Sequence, residues 1–211
     1  MSDQPRLRIL LVGASGVLGQ AVDAALSPRH EVIRAGSKTG ALQIDIADPA
    51  SILRGFEAAG PLDAVCCTAG TTNFPALAKV MPRPLADSAY GLGLTNKLMG
   101  QVNLALAARA TLRDGGSITL ISGILADHPI PGGSGAAMVN GALESFVRAA
   151  ACELPRGLRL NLVSPTVFAE SMDSYGAFFR GYPPVPVAAA ALAYCRSVEG
   201  IGTGQVFKVG Y

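Results

Sequence analysis

Apolar runs of strand length alternate with longer stretches of helical periodicity from one end of the chain to the other, and that alternation narrows the possible folds most. Strands are expected at LRILLVG (7–13), HEVIRAG (30–36), ALQIDI (41–46), LDAVCCTAG (62–70), SITLISG (117–123), LRLNLVS (158–164) and GQVFKVG (204–210). Helices are expected over 17–27, 49–59, 88–112, 135–154 and 187–198. Several strands are apolar throughout, as when helices cover both faces of a parallel sheet. The prediction is an α/β fold: a doubly wound parallel sheet of about seven strands, in three α/β/α layers with right-handed crossovers.

Length and composition set the remaining bounds. The 211 residues suit one domain, 1–211, with a substantial core. Half the residues are apolar and 15% are charged, which excludes a disordered chain. The net charge of +2 is mixed along the chain, unlike the concentrated positive charge of a nucleic-acid binder. No apolar run is long enough to cross a bilayer. The opening MSDQPRLRILLVGASG passes from a polar tip into a strand without a cleavable signal. Cys66, Cys67, Cys152 and Cys195 have neither metal-site nor disulfide-framework spacing and read as thiols of a reducing compartment. The expectation is a soluble cytoplasmic protein with a small-molecule substrate and no nucleic-acid or membrane partner. One stretch breaks the rhythm. SPTVFAESMDSYGAFFRGYPPVPV (164–187), rich in Gly, Pro and aromatics, reads as a surface excursion and a lid over a pocket.

The first strand ends in GASGVLG, with glycines at Gly13, Gly16 and Gly19. Glycines there allow a tight turn, close approach of a phosphate to backbone, and close packing of helix on strand. The helix that follows offers unpaired N–H groups and the positive end of its dipole to a pyrophosphate. The motif follows the first strand and opens a helix, which is its confirming context. Gly13, Ser15, Gly16, Leu18 and Gly19 are the residues expected to bind a dinucleotide. The second strand ends in RAGSKTG without an acid. Arg34, Ser37 and Lys38 stand where an Asp or Glu would repel a 2′-phosphate, so NADP(H) is favoured over NAD(H).

At this point the chain resembles the short-chain dehydrogenase/reductase family over nearly its whole length, with a Rossmann-like fold as the implication. Its glycine spacing is G-x-x-G-x-x-G, where standard members have G-x-x-x-G-x-G. Asp45 and Ile46 resemble the pair that contacts adenine. TAG (68–70) resembles the family's NAG, with Thr68 for Asn and with Ala69 and Gly70 facing the cofactor. LISG places Ser122 at the catalytic serine. RLNLVSPTV resembles the segment whose backbone, here Pro165 to Val167, holds the nicotinamide carboxamide, and TGQVFKVG matches the closing strand. The resemblance also implies a homodimer or homotetramer through helices 88–112 and 135–154.

Standard members use Ser, Tyr and Lys, the Lys lowering the Tyr pKa and an Asn supporting a proton relay. The resemblance places Ala136 at the Tyr position and Asn140 at the Lys position. None of Tyr90, Tyr175, Tyr182, Tyr194 and Tyr211 has a Lys four residues later, so the motif is absent in any register. In TNKLMGQ, Lys97 takes the place of the relay Asn, with Asn96 adjacent. In this register Lys and Asn have exchanged places, while a one-residue shift would put Asn96 at the relay position. The expected catalytic set is Ser122, Lys97 and Asn140, with Lys97 pointing into the pocket. His128, Tyr175, Tyr90 and bound water are other proton donors to weigh. Two functions are open: an NADP(H)-dependent oxidoreductase acting on a small carbonyl or conjugated substrate through an altered site, or an NAD(P)H-binding regulator or redox sensor without turnover. A structural subunit that binds no cofactor is a third.

Overall fold

The structure is a computed structural model that describes residues 5–211. One seven-stranded sheet, every pairing parallel, runs in the order β3-β2-β1-β4-β5-β6-β7. The strands are β1 (Arg8–Val12), β2 (Glu31–Gly36), β3 (Leu42–Gln43), β4 (Leu62–Cys67), β5 (Leu112–Ile121), β6 (Arg159–Pro165) and β7 (Val206–Val209). The helices are α1 (Val17–Leu26), α2 (Pro49–Ala59), α3 (Gly100–Thr111), α4 (Ser134–Ala150), α5 (Met172–Tyr175) and α6 (Val187–Glu199). The doubly wound α/β architecture is as expected.

Alternation along each strand explains why the central strands are apolar throughout. Leu10 and Val12 face one side of the sheet with Val65 and Cys67, packed under α2, α3 and α4. Ile9 and Leu11 face the other with Ala64 and Cys66, under α1 and α6. Each such side chain contributes roughly 1.5–3 kcal/mol on burial. Cys66, Cys67 and Cys195 are buried free thiols, and Cys152 is exposed. Burial pushes the Cys66 and Cys67 thiols up, which fits structural rather than reactive groups. No helix among the described residues is long and apolar enough to cross a membrane.

Several boundaries differ from expectation. The third strand shrinks to two residues, because the chain leaves the edge after Gln43 to enter the turn held by Asp45. The helix expected over 88–112 begins as a π-helical segment at Gly93–Met99 and becomes α-helical only from Gly100. The fifth strand starts at Leu112, five residues earlier than expected, with a register shift against β4 between Leu62 and Ala64. Residues 69–90 hold only two short 3-10 turns. Pro75, Pro82 and Pro84 each lack an N–H, which keeps this stretch out of helix and sheet ladders.

Candidate active site

The strand order reverses between β1 and β4, and a crevice opens there at the carboxyl ends of the strands. The turn after β1 forms its floor. Gly13 has φ +90°, and a Cβ on it would lie 2.8 Å from Thr68 Oγ1 and 2.9 Å from the Ala69 amide nitrogen. Gly16 caps α1 in extended backbone, and no side chain bonds the first amides of the helix. The turn therefore presents bare backbone donors to an anion. Thr68 Oγ1 donates to Val12 O at 3.1 Å and Gly13 O at 3.0 Å, tying the ends of β1 and β4 together.

A groove of about 270 Å³ runs over this turn, lined by Gly13, Ser15, Gly16, Ser37, Asp45, Ile46, Ala69, Gly70 and Asn96 among others. Leu18 and Gly19 do not line it. Leu18 is packed into the core and Gly19 is buried against the turn. The Arg34 guanidinium turns back to Asp23, 2.7 Å away, while Ser37 and Lys38 remain exposed at the end of β2. Asp45 Oδ1 accepts from the Ala47 amide at 2.9 Å and holds the adjoining turn.

Gly70 and Thr71 also border a second cavity, of about 320 Å³. Lys97, Ser122 and Asn140 meet on its wall together with Ala136, Pro165 and Val167. Lys97 Nζ donates to Asn140 Oδ1 at 2.8 Å and to the Ser122 carbonyl at 3.0 Å. Asn140 Nδ2 donates to the Gly123 carbonyl at 3.2 Å. Burial brings the Lys97 ammonium down to about 8. The π-helical segment separates the two neighbouring candidates. Asn96 Oδ1 accepts from the Thr71 amide at 2.8 Å beside the groove, whereas Lys97 lines the cavity.

Ser122 is 5% exposed, and its hydroxyl donates to Glu144 Oε1 at 3.1 Å. Ser164 Oγ donates to the same oxygen at 3.2 Å and also meets the Tyr211 hydroxyl. A serine has one proton. With that proton directed at Glu144, Ser122 turns acceptor lone pairs to the cavity, and Lys97 holds the free donor. Glu144 was not singled out from the sequence. The available signal was an acid on a helix face otherwise made of Val139, Leu143 and Val147, four residues after Asn140. Replacing Glu144 with Leu strands two hydroxyls and will lower stability by about 1–3 kcal/mol, read by urea unfolding, with Glu144→Gln costing less.

The other proposed proton donors are placed differently. The His128 ring packs edge-on against Tyr182 and Tyr211 and does not line the cavity. Tyr90 OH pairs with Ser134 Oγ at 3.0 Å, also off the wall. Tyr175 lines the cavity from α5, where the 164–187 excursion closes one side with Phe168, Ser171 and Phe179. Thr166, 3% exposed, borders the same space, and its hydroxyl is buried without a hydrogen-bond partner. No group of three His, Cys, Asp or Glu among the described residues could hold a metal.

A family model described as enoyl-(acyl carrier protein) reductase matches residues 12–207. The chain belongs to the short-chain dehydrogenase/reductase family. Among solved structures, the protein lin1944 from Listeria innocua is 42% identical, with a TM-score of 0.91 over 96% of this chain and 98% of that one. A small-chain dehydrogenase in complex with NADPH is 25% identical, with a TM-score of 0.83 over 97% of each chain. A short chain dehydrogenase from Burkholderia cenocepacia J2315 in complex with NADP shares the fold at 22% identity, with a TM-score of 0.79 and 96% of each chain covered. A comparison with curated protein sequences gives no significant match. In this member of the family Lys97 is bonded to Asn140 on the cavity wall, which Ala136 also lines.

Proposed function

We propose that this protein is an NADP(H)-dependent oxidoreductase that reduces a small carbonyl or conjugated substrate, with Lys97 as the proton donor. The observation that carries the reading is the Lys97 ammonium, bonded to Asn140 Oδ1 on the wall of a cavity contiguous with the dinucleotide groove. The bare-backbone turn at Gly13–Gly16 fits a pyrophosphate, and the structure solved with NADPH supports the choice of cofactor. When bound, NADPH supplies the hydride.

The chain's own residues do the rest. Ser15 and the first amides of α1 hold the phosphates, and Ser37 with Lys38 meets the 2′-phosphate. Asp45 and Ile46 border the adenine end, and the Pro165–Val167 backbone orients the nicotinamide. Lys97 gives its proton to the carbonyl oxygen as negative charge develops there. Asn140, itself anchored on the Gly123 carbonyl, fixes the ammonium in position. Ser122 bonds the substrate oxygen whenever Glu144 yields that hydroxyl. Association through α3 and α4 accords with the exposed Leu106 and Met138 on those helices.

The regulator reading is favoured by one observation, the engagement of the Ser122 proton with Glu144. NADPH fluorescence titration followed by a scan of aldehydes, ketones, quinones and enones for NADPH consumption separates the two. Tight binding with no consumption by any of them would favour the regulator. The cofactor preference has its own check: Ser37→Asp will weaken NADPH relative to NADH by roughly tenfold or more, because like charges brought together cost several kcal/mol. An unchanged ratio of the two dissociation constants would remove Ser37 from the 2′-phosphate site.

A further inference from the structure

We infer that the substrate of this site is a small oxo acid, its carboxylate seated on the Lys97 ammonium beside the carbonyl that is reduced. The inference rests on the oxidoreductase reading and adds to it the charge of the substrate. Among the described residues Lys97 is the one charged side chain on the cavity wall. Both of its acceptors, the Asn140 amide oxygen and the Ser122 carbonyl, are neutral. An ammonium has three donors, so one remains for the cavity. Among the described residues Lys97 forms no ion pair. The acid closest to the set in bonding terms, Glu144, turns its carboxylate to Ser122 and Ser164 instead.

A buried ammonium without a counter-ion is unfavourable, and the protein leaves that cost uncompensated. Burial lowers the Lys97 pKa for the same reason. A neutral ketone would displace water and deepen that cost, whereas a carboxylate removes it. Beside Lys97 the wall carries the polar side chains of Thr72, Ser171 and Tyr175, and Phe74, Ile124, Val167 and Phe179 are available for the body of the ligand. The volume of about 320 Å³ lies at the small end of ligand sites.

An oxo acid with its two functions on adjacent carbons puts both oxygens within the field of one ammonium. The carbonyl carbon accepts hydride as NADPH is oxidised to NADP⁺, and the carbonyl π pair moves onto oxygen. That oxygen takes a proton from Lys97 Nζ, the product is a hydroxy acid, and Lys97 is reprotonated from solvent.

The test is calorimetric binding of benzoylformate and of its neutral isostere benzoylformamide to the whole protein, with and without saturating NADP⁺. Expected is a preference of at least about tenfold for the carboxylate, lost in Lys97→Met. Equal affinities, no binding of either compound, or a preference that survives Lys97→Met would each overturn the assignment. Should that variant not fold, Lys97→Gln with amide chemical shifts at Gly70 and Thr166 gives the same decision. NADP⁺ is titrated separately. A carboxylate preference in a protein that neither binds NADPH nor oxidises it would leave the anion site standing and bring down the redox reading alone.

Discussion

Replacing Lys97 with methionine will lower NADPH-dependent turnover by about 10²–10⁴-fold, the range general acid catalysis typically contributes. The variant should still fold. Methionine is long and flexible enough to fill the same space, and it removes a buried ammonium that has no counter-ion. The loss of a donor to Asn140 and the Ser122 carbonyl works in the opposite direction. Lys97→Arg is the sharper companion. It keeps the charge on a planar group that does not give up its proton, so it should restore anion binding more than turnover. Turnover within about threefold of the parent in Lys97→Met would exclude a general acid at this position.

The pH dependence has two signs, and together they identify the group. The Lys97 pKa is lowered by burial to about 8, below its unfolded value of about 10.5. Activity that needs the ammonium is present below this value and falls as pH rises through about 8. Stability moves the other way. The unfolded chain binds more protons between about pH 8 and 10.5, so the burial penalty is relieved as pH rises across that window. Cys67, Glu144 and the Tyr175 phenol of α5 also face this region from neighbouring elements. Cys67, behind Lys97 on β4, is pushed up to about 12 and stays neutral across the window. Glu144 on α4 is bonded to the two serines. Paired profiles of kcat/KM, which reports the free protein, and of Tm against pH check this, and parallel movement of the two would contradict it.

The architecture was legible because it depends on patterns that survive averaging: apolar runs buried on two faces, and glycines where a turn meets a helix. Boundaries fared worse where long-range packing decides them. Nothing local marks Leu112 as the start of β5, since the strand begins by pairing with Leu62 on β4 and then shifts register. Lys97 and Asn140 could be singled out from the sequence as candidates 43 residues apart. That their side chains bond is a long-range contact that sequence periodicity does not reveal, as is the placing of Asn96 and Lys97 at different cavities. Arg34 shows what the sequence does not reveal about a charge: the guanidinium is paired with Asp23 on α1. Glu144 was hidden because an acid on a helix draws notice only when its face is known to be buried.

Gly19→Ala will lower stability by about 3 kcal/mol or more and abolish NADPH binding, while Gly16→Ala leaves the fold intact. The contrast is steric. A Cβ on Gly19 would stand 2.1 Å from the Gly13 carbonyl oxygen and 2.8 Å from two backbone atoms of Ala14. All three are main chain, so no rotamer change relieves the overlap. Gly13 cannot retreat, because its amide donates to Ala35 O at 2.8 Å and the turn is pressed against Thr68. At Gly16 the nearest atom lies 3.5 Å away, an ordinary contact. The first and third glycines of the G-x-x-G-x-x-G spacing are therefore one packing device that brings α1 onto the end of β1. The middle one sets the height at which the helix amides open to an anion. Thermal unfolding of the two variants, with NADPH titration of whichever fold, separates these roles. A Gly19→Ala protein as stable as Gly16→Ala would mean that the close approach of helix and turn is not what this spacing serves.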